Sequence, residues 1–219
     1  MKIKMYKMWS FILELIFPSR GIDKAIREIT ADEFMEKAEL YQGNEFEDVR
    51  IVFNYKDNLV KRALWQLKYM RNRELAKLFA EIIYGTLLEE LSELEIFQNF
   101  EKPYLVPIPI SKKRLRERGF NQMELVAREL SILDDGNSFK VALRILEKVK
   151  ETPSQTSLTK AERMKNLKGS FALRDKRILE KRNIILLDDV ITTGSTIEEA
   201  KRVLYEVGVK NIYTIVIAH

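Results

Sequence analysis

The sequence predicts an α/β chain: a twisted, mostly parallel sheet with helices on both faces, plus a small N-terminal helical and strand subdomain. Two observations carry that prediction. Ile184, Ile185, Leu186 and Leu187 follow Asn183 without a polar break, and residues 211–217 form a second apolar run. Such runs mark strands buried on both faces, as parallel sheets require. Between them Ile197, Ala200, Leu204 and Val207 recur at helical spacing, and Gly208 stands where a C-cap is expected. Strand, helix and strand within about 35 residues make a right-handed βαβ unit.

The remaining elements follow in order. Apolar residues at 5, 8, 9, 12, 13 and 16 predict a first helix ending near Pro18 and Gly21. Lys2, Lys4 and Lys7 before that apolar stretch imitate a secretory leader. Glu14 interrupts the stretch and no small-residue cleavage site follows, so the expectation is a cytoplasmic chain whose first helix packs on its own domain. Residues 22–48 carry only a weak helical signal. Residues 49–55 are rich in β-branched and aromatic side chains and predict a strand. Residues 59–70 and 72–91 predict two helices, the second with Asn72 as N-cap and an apolar face of Leu75, Leu78, Phe79, Ile82 and Ile83. Tyr104, Leu105 and Val106 form a short strand broken by Pro107 and Pro109, and a basic loop follows. Residues 120–133 predict a helix with Asn121 near its start and Phe120 in the core. Residues 134–137 read as a turn, and residues 141–149 as holding a strand. The polar stretch 150–170 reads as a long surface segment of the functional or mobile kind.

Composition narrows the chemistry. The 219 residues are 46% hydrophobic and 32% charged, enough to bury a core in one domain or one domain with a small addition. No stretch of about 20 apolar residues exists, so no spanning helix is expected. The absence of Cys excludes a disulfide framework, a thiol nucleophile and a thiolate-bound zinc. A single His, His219, excludes a polyhistidine metal site and argues against a Ser-His-Asp triad. Any catalysis must use carboxylates, Lys or Arg, hydroxyls, backbone amides or a hard cation. A net charge of +5 permits anionic partners without naming one.

The chemistry-bearing string is the predicted turn from Asp188 to Thr196, between the carboxyl end of a buried strand and the start of a helix. Ligands of open α/β sheets bind at that edge. A helix start offers unpaired N–H groups and partial positive charge, which suit a phosphate. Thr192, Thr193, Ser195 and Thr196 add hydroxyls, Val190 leads into the turn, and Gly194 permits a positive φ. No Lys precedes the hydroxyls, so this is not a Walker loop. Asp188 and Asp189 suit vicinal ribose hydroxyls or a hydrated Mg²⁺. Taken singly, Ser195 or Thr196 reads as an ordinary helix cap. Together the string reads as a ribose-5-phosphate recognition element.

Residues 184–196 resemble the signature of the type I phosphoribosyltransferases, a Rossmann-like α/β fold that binds phosphoribosyl pyrophosphate. Val106-Pro107-Ile108-Pro109, with residues 114–122, resembles the most distinctive string of the ComF family, competence-associated phosphoribosyltransferase-like proteins. Thr152, Pro153, Ser154 and Gln155, then Arg163, Asn166, Gly169 and Phe171, are similar to the family's next string, and Tyr55 with Leu67, Lys68 and Tyr69 to its upstream helix. The resemblance covers about residues 49–217 and implies a 49–219 phosphoribosyltransferase-like domain after a 1–48 N-terminal subdomain. It implies that Asp188 and Asp189 hold the ribose hydroxyls, with Mg²⁺ directly or through water. It also implies that 192–196 hold the 5-phosphate. Ser111, Lys112, Lys113, Arg114 and Arg118 would take the pyrophosphate or a nucleic acid. Five basic residues against one acidic across 111–118 support that role independently. Gln155, Arg163 and Asn166 would belong to the hood segment covering the site.

The family's N-terminal zinc module is not matched. Residues 15–24 resemble its opening, but Gly21 and Lys24 stand where the first Cys pair belongs, so no zinc is expected. The implied activity is phosphoribosyl transfer in DNA uptake during natural competence, with single-stranded DNA and helicase-type competence proteins as implied partners. Two alternatives stand beside it: a non-catalytic module binding single-stranded DNA through the basic loop, and a sensor of phosphoribosyl pyrophosphate without turnover.

Overall fold

A computed structural model describes residue 26 and residues 28–46, 49–151, 166–175 and 178–219. The expected first helix and most of the 150–170 segment, including Gln155 and Arg163, lie outside the described residues. The strands are β1 (Val49–Phe53), β2 (Tyr104–Pro107), β3 (Lys140–Val141), β4 (Leu146–Lys148), β5 (Phe171–Leu173), β6 (Asn183–Val190) and β7 (Asn211–Ala218). The helices are α1 (Ala31–Lys37), α2 (Asn58–Tyr69), α3 (Arg73–Gln98), α4 (Lys112–Arg118), α5 (Gln122–Asp134) and α6 (Ser195–Tyr205). Five strands form one sheet in the order β1-β7-β6-β2-β3, and every pairing in it is parallel. β4 and β5 form a separate antiparallel hairpin. This is the α/β fold that the apolar runs predict.

The central strands are buried on both faces, and residue parity decides which face each side chain joins. Leu105, Ile185, Leu187, Ile215 and Ile217 pack with α2, α3 and α5. Val106, Ile184 and Leu186 pack with Ala200 and Leu204 of α6 and with Leu146 and Phe171 of the hairpin. Phe34 of α1 enters the first cluster edge-on to Phe53 and Phe79, at ring-centroid distances of 5.3 and 5.6 Å. Each buried Leu, Ile or Phe stabilises the fold by roughly 2 kcal/mol. Exposed ion pairs such as Lys77–Glu81 contribute under about 1 kcal/mol. Apolar burial therefore holds the layers together.

Several boundaries depart from the sequence expectation. The basic loop is a helix, α4: Ser111 accepts from the Arg114 amide at 3.3 Å, Lys, Arg, Leu and Glu are good helix formers, and Gly119 closes it at φ 83°. β6 runs on through Asp188, Asp189 and Val190, so the aspartates stand on a strand rather than in the turn. α6 ends on Glu206 as C-cap, and Gly208 takes its positive φ two residues later. The 141–149 stretch divides into parts of β3 and β4. α3 begins under Asn72 as expected but continues to Gln98.

The connections set the site. From β2 the chain leaves through α4 and α5 to β3 on one side; from β6 it leaves through α6 to β7 on the other. The paths diverge and leave a crevice at the carboxyl ends of β2 and β6, where open α/β sheets bind ligands.

Candidate functional site

The two aspartates follow the parity of the strand that carries them. Asp189 falls with Ile185 and Leu187, toward α2 and α5. Lys68 Nζ of α2 lies 3.2 Å from its Oδ2, and the Gln122 side-chain amide of α5 donates to the same oxygen. Arg118 braces this contact: its Nη1 donates to Gln122 Oε1 at 3.1 Å, and its guanidinium lies 4.8 Å from the Tyr69 ring centroid. Asp189 is therefore buried, neutralised and hydrogen-bonded.

Asp188 falls with Ile184 and Leu186, toward α6 and the hairpin. Its Oδ1 accepts from the Asp189 amide at 2.9 Å, and among the described residues no cation stands within ion-pair distance of it. Burial, with the negative charge of Asp189 adding to it, pushes its carboxyl up to about 7. Lys148 of β4 is the counterpart: burial and then the charge of Arg114 lower its ammonium pKa, against the pull of Asp188 and Glu151.

Beyond β6 the chain forms a cradle. The Ile191 amide donates to the Ala218 carbonyl at 3.0 Å, and the Ile191 carbonyl lies 3.0 Å from His219 Nδ1. Gly194 begins α6 at φ 75°, and a Cβ there would stand 3.0 Å from the Phe46 ring. Helices α1 to α5 each begin under a side-chain cap, from Thr30, Asp57, Asn72, Ser111 and Asn121. α6 has none, so its first amides are left to other partners. The Thr193 and Ser195 hydroxyls lie 3.0 Å apart. A cavity of about 30 Å³ fills the turn, walled by Asp188, Val190 and residues 191–197. Asp188 also walls a neighbouring crevice of about 130 Å³, with Asp189, Lys68, Arg114, Arg118, Lys148 and Thr196.

The structure divides the basic segment. Arg114 and Arg118 enter the aspartate crevice, whereas Lys112 lines a larger cavity beside it. Ser111 is spent on capping α4, and the Lys113 amide donates to Glu151 at 2.8 Å. That bond, with one from the Ser111 hydroxyl, lowers the Glu151 pKa. Asn166 is exposed and lines none of these cavities.

Three residues at the crevice were not singled out as site residues from sequence: Lys68, Gln122 and Lys148. Lys68 had a readable signal, because it continues the buried spacing of Val60 and Leu64 on α2 with a charge. Lys148 depends on the hairpin, which is pinned from α6. Buried Glu199 accepts from the Gly169 amide at 2.6 Å and binds Arg202 twice at 2.8 Å, while the Ser170 carbonyl accepts from Val149 at 2.8 Å. One helix thus frames the cradle with its start and sets Lys148 with its second turn.

Among the described residues no three His, Cys, Asp or Glu side chains gather into a metal-binding group. A cation at Asp188 would need most of its ligands from a bound phosphate and water, which is how Mg²⁺ is usually held.

Comparison with known proteins bears on this geometry. A family model for the phosphoribosyl transferase domain matches residues 115–219, from within α4 to the end of β7. Competence protein F of Haemophilus influenzae is 37% identical over 109 residues, covering 49% of this chain and 46% of that protein. Competence protein ComFC of Bacillus subtilis is 31% identical over 159 residues, covering 73% of this chain and 58% of that protein. The chain belongs to the ComF family. DNA utilization protein YhgH of Escherichia coli, 30% identical over 145 residues, covers 65% of this ComF chain and 60% of its own length. The chain thus spans roughly half the length of the curated relatives it matches. A solved hypoxanthine-guanine phosphoribosyl transferase of L. donovani overlays 66% of this chain and 67% of its own at 15% identity, with a TM-score of 0.38. The family match over residues 115–219, with the parallel five-stranded sheet, gives the architecture of the type I phosphoribosyltransferases. Among the described residues no helix is long and apolar enough to cross a membrane.

Proposed function

We propose that this ComF-family chain binds phosphoribosyl pyrophosphate with Mg²⁺ and transfers its phosphoribosyl group to an acceptor, in a role tied to DNA uptake. The observation that carries the reading is the uncapped start of α6 beside Asp188, a half-buried carboxylate with no cation within ion-pair distance among the described residues. The α6 amides, with the hydroxyls of Thr192, Thr193, Ser195 and Thr196, hold the 5-phosphate. Asp188 accepts from the ribose hydroxyls. Asp189, already neutralised by Lys68, keeps Gln122 and Arg118 in place. Arg114, Arg118 and Lys148 take the pyrophosphate with charge-assisted bonds. Asp188 is the residue that fits Mg²⁺, which when bound would neutralise charge on the departing pyrophosphate.

In the transfer the C1–O bond breaks, pyrophosphate leaves with its electron pair, and the ring develops oxocarbenium character. Asp188, Arg114 and Lys148 are positioned around that change before it occurs. Titration calorimetry with phosphoribosyl pyrophosphate and Mg²⁺ tests the reading. Saturable heat is expected, and pyrophosphate release with an acceptor panel separates transfer from sensing. No heat at millimolar ligand would overturn it.

The relatives' names, competence and DNA utilization, keep a second reading in view. Lys112 and Lys113 are exposed at the start of α4 and suit a phosphate backbone. Single-stranded DNA binding that weakens linearly in log salt, and weakens further in Lys112→Ala/Lys113→Ala, is its test.

A further inference from the structure

We infer that the large cavity beside the aspartate crevice takes an anionic, ring-bearing compound, and that this compound is the acceptor; the acceptor role rests on the phosphoribosyl reading above. The cavity, about 480 Å³, lies between α4, α5 and the β4–β5 hairpin. That is the size of an ordinary small-molecule pocket. It shares Pro109, Ile110 and Lys148 with the crevice, so a compound seated in it abuts the place where Arg114, Lys148 and Asp188 converge.

The walls specify the chemistry. Phe120 and the leucines Leu115, Leu125 and Leu146 supply flat and apolar surface. Two of the cavity's arginines are already paired, Arg144 with Glu124 at 3.5 Å and Arg174 with Glu147. Arg71, Arg128, Lys112 and Lys148 have no carboxylate within ion-pair distance among the described residues. The Arg71 guanidinium lies 5.9 Å from the Phe120 ring centroid. A neutral base would cover the apolar wall and, with Lys148 turned to the pyrophosphate, leave Arg71, Arg128 and Lys112 uncompensated. A flat ring bearing a carboxylate meets both demands at once. In the transfer a ring nitrogen uses its lone pair to form the bond to C1 as the C1–O bond breaks. Pyrophosphate takes the C1–O electron pair; a ring N–H such as that of orotate then gives up its proton to the pyrophosphate, whereas a pyridine nitrogen such as that of nicotinate carries no proton and keeps the positive charge.

The test is titration calorimetry with orotate, nicotinate, uracil and adenine, on the free protein and on protein saturated with phosphoribosyl pyrophosphate and Mg²⁺. The two ring carboxylates are expected to bind at least tenfold more tightly than the two neutral bases. Arg71→Gln/Arg128→Gln should abolish that preference while leaving phosphoribosyl pyrophosphate affinity within twofold. Both arginines are exposed, so the variant should keep its melting temperature. Neutral bases binding as tightly as the acids overturns the inference. So does a preference that survives in the double variant, or the absence of binding by any probe. If phosphoribosyl pyrophosphate itself does not bind, the function proposal and the acceptor role fall together. The comparison of acids with bases on the free protein still decides the chemistry of the cavity.

Discussion

Helices α5 and α6 start at the same edge of the sheet, one after β2 and the other after β6, and they open in opposite ways. At α5 the Asn121 side chain accepts from the Met123 amide at 3.1 Å and donates to the Ile108 carbonyl at 3.1 Å. That start is buried and closed by the chain itself. At α6 a left-handed glycine stands in the cap position, and the adjacent hydroxyls of Thr193 and Ser195 face each other. With glycine at the cap position a missing side-chain cap costs only about a few tenths of a kcal/mol. Both starts are rich in polar side chains, so polarity does not distinguish them. Backbone geometry does: extended at Asn121, φ 75° at Gly194.

Closing α6 should produce the largest effect. Gly194→Val forces a β-branched residue into the left-handed region and its Cβ against Phe46. Phosphoribosyl pyrophosphate affinity should fall at least a hundredfold by calorimetry, with a loss of about 1–3 kcal/mol in urea stability. Unchanged affinity would mean that α6 is not the phosphate site.

Asp188→Asn should come next, with affinity down about tenfold or more. It should also act on stability in the opposite sense. The folded chain binds the Asp188 proton more tightly than the unfolded chain, where the carboxyl titrates near 3.8. Its contribution is therefore full below about pH 4 and is withdrawn as pH rises through about 7. The variant's melting temperature should gain on the parent's over that range, with the widest gap above pH 7. A constant gap from pH 4 to pH 8 would show that Asp188 titrates normally.

Asn121→Ala should give the smallest change, about 1–2 kcal/mol lost in urea unfolding with affinity within threefold. A large loss of affinity there would erase the contrast between the two helix starts.

Much of this was legible before folding. The runs at 183–187 and 211–217 located the central strands, and the helix between them followed from Ile197, Ala200 and Leu204. The string from Asp188 to Thr196 marked the cradle, because Gly194 and its hydroxyl neighbours follow a buried strand. The illegible parts have physical reasons. A short helix of Lys, Arg and Glu has no apolar face, so α4 read as a loop. Lys68, Gln122 and Lys148 come from three different elements, and only the sheet topology brings them to one crevice. The aspartates looked like a matched pair because the alternation that separates them belongs to a strand, and β6 was expected to stop at Leu187.

That alternation leaves two chemically identical residues with different fates. One acid is a buried anchor and the other faces the cradle, and nothing but an odd or even place in the chain assigns them. Deleting one residue between Asn183 and Leu187 would exchange their faces: the former anchor would turn to the cradle, and its neighbour would fall to the place that Leu187 holds, on the side of the lysine.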